Sequence, residues 1–201
     1  MSASFKQLEN FFITNKSIQM KTIRIMMLGI AVLFFHHVSI AQNRSQDEKN
    51  INQILSDMEK AWNTKNGQLW ASHMAEQHDW TIWFGMFLPD MDRETNANTH
   101  QGLFDTQFQH TNLHMHMTRI RFLSDDIAIA NYLANTYETG TKEKNWPEMV
   151  GSMVVQRTAN GWEVISFGNQ DIEYNEILKT NEPSAEAIEG FARNQFRQWY
   201  Q

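Results

Sequence analysis

The sequence predicts an α+β domain in which a strongly bent antiparallel sheet wraps around three N-terminal helices. Residues 112–169 are patterned as successive strands joined by short turns. The last of these turns ends in Asn160-Gly161 between two β-branched and aromatic runs, which is a strong hairpin signal because both residues tolerate positive φ. Apolar residues at helical spacing precede the sheet in sequence, so we expect helices to cover its inner face.

Residues 1–41 are predicted to be an N-terminal extension followed by a secretory signal peptide. Lys21 and Arg24 precede an apolar run over residues 25–35, and small residues lead to a cleavage site after Ala41. This layout is typical of a secretory signal, and the apolar run is too short to span a bilayer comfortably. A retained membrane anchor is the alternative interpretation.

The rest of the chain is acidic and lacks cysteine. Residues 1–41 hold four of the 17 basic and one of the 23 acidic residues, so residues 42–201 carry a net charge of −9. Such a chain, without a basic cluster, argues against nucleic acid or an anionic membrane as a partner. The absence of cysteine excludes a disulfide scaffold, thiol catalysis and Cys-ligated zinc. We expect a periplasmic or secreted protein, with its signal at about residues 20–41 and no stable membrane span after cleavage. Translation starts at Met1 or Met20.

The domain is expected over residues 42–180 and begins with two helices. Apolar residues recur at helical spacing over residues 51–62. Ser45 and Glu48 have the spacing of a capping box at the start of this helix, and Asn66-Gly67 is expected to end it. A second short helix is predicted over 68–75.

An aromatic strand and a third helix are predicted next. The strand covers residues 79–85, a loop containing Pro89 covers 86–92, and the helix covers 93–108. The strands of the meander are predicted over 113–122, 127–139, 150–157 and 162–167. Residues 181–201 are predicted to form an amphipathic helix that packs on the domain or, with a slight preference, at a subunit interface.

From about residue 51 to 169 the chain resembles the NTF2-like superfamily, and within it the SnoaL-like group also labelled SgcJ/EcaC or DUF4440. The residues that carry the resemblance are Ala61-Trp62-Asn63, Asp79-Trp80 through Gly85, His100, Arg121 through Ala128, Gly161-Trp162-x-Val164 and Asn169. The resemblance implies the NTF2-like (cystatin-like) cone, with a pocket between sheet and helices, and a homodimer for many members. It implies no single function, because the same cone serves isomerases, cyclases, dehydratases, binding proteins and oligomerisation domains. Members often have a His directly before the last Asn, where this chain has Gly168.

Two residues are candidates for catalysis by proton transfer. His100 is expected to face inward, as a ligand-binding donor or general base, or else as a core histidine bonded to a carbonyl. Asp79 begins the predicted strand and can act as a base, paired with His100, if burial raises its pKa. The plainer interpretation of Asp79 is a strand-end or turn aspartate.

Four residues are candidates for the pocket wall. They are Trp80, Trp83, Tyr132 and Asn169. Strand alternation puts Trp80 and Trp83 on opposite faces, so only one of them is expected to face inward. Large rings suit a flat, mostly apolar ligand, and the alternative is that they simply fill the cone.

A histidine cluster at His110, His114 and His116 offers a metal site as an alternative. Two imidazoles on one strand face with a third nearby can bind zinc, copper or nickel. Structural or solvent-facing histidines are the preferred interpretation, so we expect neither a metal nor another cofactor.

The sequence thus predicts an exported protein that binds a small, largely apolar molecule, with cofactor-free acid–base catalysis such as isomerisation, dehydration or hydrolysis. The alternative is a non-catalytic homo-oligomerisation or assembly module that uses the outer face of the sheet and the C-terminal helix. The residues alone do not establish catalysis, the ligand or the oligomeric state.

Overall fold

The computed structural model of the chain describes residues 44–201. The unit considered below is Asp47–Gln201, and the predicted extension and signal peptide lie outside the described residues. No helix within residues 44–201 is long and apolar enough to cross a membrane.

Three helices precede or interrupt the first strands, and a short helical tail ends the chain. The helices are α1 (residues 44–63), α2 (Gly67–Ala71), α3 (Arg93–Asp105), α4 (Tyr174–Leu178), α5 (Ala185–Gln195) and a final 3-10 turn (Arg197–Tyr200). The predicted apolar stripe of α1 is confirmed, since Ile51, Ile54 and Met58 are buried. The predicted capping box is wrong, because Ser45 already lies inside the helix.

Six strands form one mixed sheet in the order β2-β1-β6-β5-β4-β3. Their bounds are β1 (Met74–Thr81), β2 (Phe87–Asp92), β3 (Thr111–Phe122), β4 (Ile127–Glu138), β5 (Met149–Thr158) and β6 (Gly161–Asp171). The four-stranded meander is antiparallel throughout, as predicted. The first hairpin joins it through a parallel pairing of β1 with β6, which makes the sheet mixed.

The predicted loop over 86–92 is instead the edge strand β2. Pro89 does not prevent this, because the missing N–H of a proline costs no ladder bond where a strand faces solvent. The register between β1 and β2 shifts at this point, and Asp90 adopts a positive φ of 52°. Its backbone N–H donates to Asp79 Oδ1 at 3.3 Å. Asp79 therefore stabilises a bulge in the hairpin.

Gly67 ends no helix in a left-handed conformation, contrary to the prediction. Lys65 takes the positive φ, at 57°. Gly67 is needed for a different reason, because a Cβ there would lie 2.3 Å from the carbonyl oxygen of Ala97. The missing side chain lets α2 pack closely on α3.

Asp47 ties α1 to the last hairpin. It accepts hydrogen bonds from Arg157 Nη2 at 2.5 Å and from Trp162 Nε1 at 3.1 Å. The guanidinium of Arg157 also lies 4.6 Å from the ring centre of Trp162, in cation–π geometry. The carboxylate is buried, and these two donors compensate for its lost hydration.

The C-terminal tail packs on its own domain, which is the first of the two arrangements that the sequence allowed. Tyr174 donates to the carbonyl of Pro147 at 2.7 Å, and its ring contacts Phe191. Trp199 packs edge-on against His114 of β3, with ring centres 5.1 Å apart.

Candidate functional site

The imidazole of His100 lies inside the cone between two indole rings. Its ring centre is 4.5 Å from that of Trp70 and 4.7 Å from that of Trp80, with 28° between the planes in both pairs. α3 supplies the histidine, α2 supplies Trp70 and β1 supplies Trp80. His100 is only 3% exposed, so the predicted inward orientation is confirmed.

Asn96 connects His100 with a second buried histidine. The Nδ1 of His100 lies 3.1 Å from the Asn96 carbonyl oxygen, to which it donates. The amide Nδ2 of Asn96 lies 2.7 Å from His78 Nε2, and His78 Nδ1 lies 3.1 Å from the carbonyl oxygen of Ala75. With the amide assigned as donor, both imidazoles carry their proton on Nδ1. We call Trp70, His78, Trp80, Asn96 and His100 the interior cluster.

Both histidines of the interior cluster are neutral at neutral pH. Burial lowers the pKa of His100 to about 4, although its hydrogen bond to Asn96 acts in the opposite direction. Burial also lowers the pKa of His78. Each neutral ring has one donor and one acceptor nitrogen, and on His100 the acceptor is Nε2.

Two polar atoms of the interior cluster have no hydrogen-bond partner among the described residues. They are Trp70 Nε1 and Asn96 Oδ1, and both are buried. One belongs to a ring that stacks on His100, and the other to the residue that accepts from His100. Buried polar atoms in native proteins are nearly always paired, so an unpaired donor and an unpaired acceptor in one place require an explanation.

Asp79 does not belong to the interior cluster. His78 and Trp80 are buried on the inner face of β1, and Asp79 alternates to the other face, where it binds Asp90. The structure therefore does not show the predicted pair of Asp79 with His100, and the plainer interpretation of Asp79 is confirmed. His78 was missed because the strand was predicted to start at residue 79 rather than at Met74. Its alternation with Trp80 was the available signal.

The pocket-wall candidates separate into inner and outer positions. Trp80 and Tyr132 lie inside, and the Tyr132 ring stacks on Phe167 with centres 5.7 Å apart. Asn169 on β6 places its Nδ2 3.9 Å from Met149 Sδ. Trp83 lies in the turn after β1 and is 45% exposed, so it lines no part of the interior.

Solved structures with this architecture were found, whereas no family model and no curated protein matches the chain. A domain of unknown function with a cystatin-like fold from Nostoc punctiforme has a TM-score of 0.60 at 25% identity, and the match covers 67% of this chain and 84% of that one. An NTF2-like protein of unknown function from Shewanella oneidensis has a TM-score of 0.52 at 16% identity, with 62% and 98% covered. A candidate scytalone dehydratase from Novosphingobium aromaticivorans has a TM-score of 0.52 at 16% identity, with 66% and 88% covered.

The chain has the fold of the NTF2-like superfamily. The cone predicted from the sequence is therefore confirmed. The narrower DUF4440-type assignment stays a prediction.

Aromatic side chains occupy much of the interior of this NTF2-like cone. Tyr132 fills the space above Gly151, where a Cβ would lie 2.1 Å from its ring. Further rings pack between sheet and helices, namely Trp62, Trp70, Trp80, Phe104 and Phe167. Two clefts lie outside the cone, one of about 290 Å³ between α1 and β3 and one of about 280 Å³ between residues 142–145 and the tail. A ligand in the cone therefore requires the rings to move apart.

The predicted metal cluster is not assembled. His114 lies between two carboxylates, with Nδ1 3.4 Å from Glu59 and Nε2 3.8 Å from Glu143. His116 lies beside the same tail residue, Trp199, and the backbone carbonyl of His110 accepts from Thr139. Within residues 44–201, no three His, Asp or Glu side chains are arranged to hold a metal ion.

Proposed function

We propose that this NTF2-like protein binds a small, largely apolar molecule inside its cone, at the interior cluster. The observation that carries the proposal is the pair of unpartnered buried atoms, Trp70 Nε1 and Asn96 Oδ1. A ligand that accepts from the indole and donates to the amide oxygen would satisfy both atoms at once. Leaving them unpaired costs roughly 1–3 kcal/mol per group, and a ligand recovers that free energy on binding.

The surroundings select for a neutral ligand. The two imidazoles are uncharged, because burial lowers the pKa of both His78 and His100. The walls are the indoles of Trp70 and Trp80. A net charge placed here would be desolvated without a counter-ion, which is strongly unfavourable. A flat hydroxy-carbonyl compound has the required acceptor and donor on an apolar body.

We further propose that His100 supplies acid–base catalysis without a cofactor. The hydrogen bond from Nδ1 to Asn96 leaves the lone pair on Nε2, which is the atom that would accept a proton from the ligand. Return of that proton to a neighbouring carbon gives an isomerisation, and its delivery to a leaving hydroxyl gives a dehydration. A base with a pKa near 4 is a weak one, so the substrate must carry an acidified proton, such as one beside a carbonyl.

Native mass spectrometry of the gently purified chain tests the binding proposal. We expect a co-purifying organic molecule in the wild type and in the matched control Asp79→Asn, whose carboxylate lies outside the cluster. Asn96→Leu and His100→Phe should lose the molecule while keeping their near-ultraviolet circular dichroism. The assignment fails if all three variants retain the molecule equally.

We propose export through the predicted signal over residues 20–41. The support is the sequence pattern of basic residues, an apolar run and small residues before Gln42. N-terminal sequencing of the protein recovered from a periplasmic extract should begin at Gln42. Recovery of an uncleaved chain from the membrane fraction would instead support the retained anchor.

The second candidate function is a non-catalytic assembly module built on the outer face of the sheet and the C-terminal helix. The contact of Trp199 with His114 of the same chain weakens this candidate, because that surface is already used. Deletion of residues 182–201 should dissociate an oligomer held by the tail while the domain stays folded. An oligomer that survives the deletion counts against this candidate.

A further inference from the structure

The turn of the β1–β2 hairpin has the densest exposed apolar surface in the described chain. We call residues 83–87 the hairpin tip. Four of its five residues have large apolar side chains that are between 45% and 57% exposed, and these are Trp83, Phe84, Met86 and Phe87. The other large apolar side chains exposed within residues 44–201, Leu123, Val150 and Ile177, are far apart in sequence.

The hairpin tip is a well-formed turn. Gly85 adopts a φ of 91°, its N–H donates to the Ile82 carbonyl at 2.8 Å, and Ile82 donates to the Met86 carbonyl at 2.8 Å. The rings of Trp83 and Phe84 meet edge to face with centres 5.2 Å apart. Turns ordinarily carry polar residues, and a contiguous exposed apolar patch marks a contact surface.

We infer that the hairpin tip is the contact surface of a symmetric homodimer, in which the tips of two copies pack on each other. Four half-exposed side chains of this size offer on the order of 400–500 Å² of apolar surface. Two copies would bury about twice that area, which reaches the lower range of specific interfaces at about 1,000 Å². A two-fold contact pairs each patch with itself, so the same surface serves both partners.

Charge disfavours an anionic lipid surface or an acidic protein as the partner. From Asp79 to Asp92 the chain contains three aspartates and neither lysine nor arginine. An anionic membrane would be repelled by these carboxylates. Ring-to-ring packing between two tips needs no basic group, so the association should persist in high salt.

The adjoining sheet edge limits the association to two copies. β2 is an edge strand, but Pro89 lacks a donor and Asp90 forms a bulge whose N–H is already bound by Asp79. Both features hinder the addition of a further strand. The contact is therefore made by side chains at the tip, which are consumed once two copies meet.

The test compares the oligomeric state of the full chain with that of two double variants, by sedimentation velocity across a concentration series. Phe84→Ser with Phe87→Ser removes two exposed rings of the tip. Leu123→Ser with Ile177→Ser removes similar exposed apolar surface elsewhere and is the matched control. We expect the wild type and the control to dimerise, and dimerisation by the tip variant to weaken by at least about a hundredfold, as for loss of central interface anchors. Equal dimerisation by the tip variant, or a monomeric wild type at every concentration, overturns the inference.

Cross-linking tests the geometry independently. The chain has no cysteine, so a single introduced thiol can form a disulfide only with a second copy. Trp83→Cys should cross-link under mild oxidation, and Leu123→Cys should not. If Trp83→Cys stays monomeric, or if the wild type binds zwitterionic vesicles as a monomer and the tip variant does not, the second copy is excluded as the occupant of this surface.

Discussion

The rings of Trp80 and His100 stack with their centres 4.7 Å apart, and no charged partner accompanies the buried imidazole. Burial lowers the pKa of His100 from 6.5 to about 4, so in this range the unfolded chain binds a proton that the folded chain excludes. Stability is then complete above about pH 6.5 and falls as the pH drops towards 4, by roughly 3 kcal/mol in total. Urea unfolding of the wild type at a series of pH values measures this loss.

His100→Phe is the matched variant for the acid sensitivity. The phenyl ring preserves the stack between Trp70 and Trp80 but does not titrate, so its stability should depend less on pH between about 6.5 and 4. Some dependence should remain, because burial also lowers the pKa of His78. Curves of equal slope for the two proteins would show that the acid sensitivity arises elsewhere.

Gly67 and Gly102 should respond oppositely to the same substitution. Gly67→Ala places a Cβ 2.3 Å from the Ala97 carbonyl oxygen, whereas Gly102 has open space around it. We expect Gly67→Ala to destabilise by about 1–3 kcal/mol through overpacking against the backbone. Gly102→Ala, in the middle of α3, should stabilise by up to about 1 kcal/mol. Thermal unfolding compares the two, and equal shifts would contradict the close approach of α2 to α3.

Asp47 should be more sensitive to alanine than to asparagine. Asp47→Ala leaves Trp162 Nε1 buried without its acceptor and removes the partner of Arg157. We expect a loss of about 2–3 kcal/mol, reduced from the value for a fully buried pair because the Arg157 side chain is 37% exposed. Asp47→Asn keeps one acceptor for Trp162 and should lose about half as much. Chemical denaturation distinguishes these cases, and identical losses would mean that the indole bond contributes nothing.

The docking of the tail should weaken as pH rises. The hydrogen bond from His114 to Glu59, together with the charge of Glu143, raises the pKa of His114 above 6.5 despite partial burial. A raised pKa stabilises the folded form at pH values below 6.5, and this contribution disappears as the pH rises through the folded-state value. Hydrogen exchange of residues 197–200 should therefore accelerate above neutral pH beyond its intrinsic dependence. The effect is at most about 1 kcal/mol, since these groups are partly exposed.

His114→Gln removes the titrating ring that contacts Trp199. In this variant the exchange of residues 197–200, corrected for its intrinsic rate, should no longer depend on pH in this way. His116 also faces Trp199, but burial and the neighbouring His114 lower its pKa. A pH dependence that survives in His114→Gln would assign the effect to His116 or to the carboxylates instead.

The sequence predicted α1 and the meander well because both bury one face, and burial on one face leaves a period in the chain. Ile51, Ile54 and Met58 repeat every three to four residues, and the strands from β3 to β6 alternate or end at turn residues. This local signal survives without knowledge of the partner surface.

β2 and the roles of Asp79 and His78 depended on tertiary pairing. Pro89 normally argues against a strand, and only the edge position of β2 makes it acceptable. Asp79 faces away from His100 because it binds the bulge at Asp90, and a bulge forms only after two strands have paired. No periodicity in the sequence carries that information.

The bonds from Asp47 reach Arg157 and Trp162, across 110 and 115 residues. During synthesis Asp47 emerges early, and both of its donors emerge only after most of the domain has left the ribosome. The parallel pairing of β1 with β6 has the same requirement. Until β5 and β6 arrive, the apolar stripe of α1 has no completed sheet to cover it, and such non-local closure folds slowly and exposes the chain to aggregation. We therefore expect that nascent chains ending before residue 157 need a chaperone to remain soluble, and that the full-length chain does not once it is released.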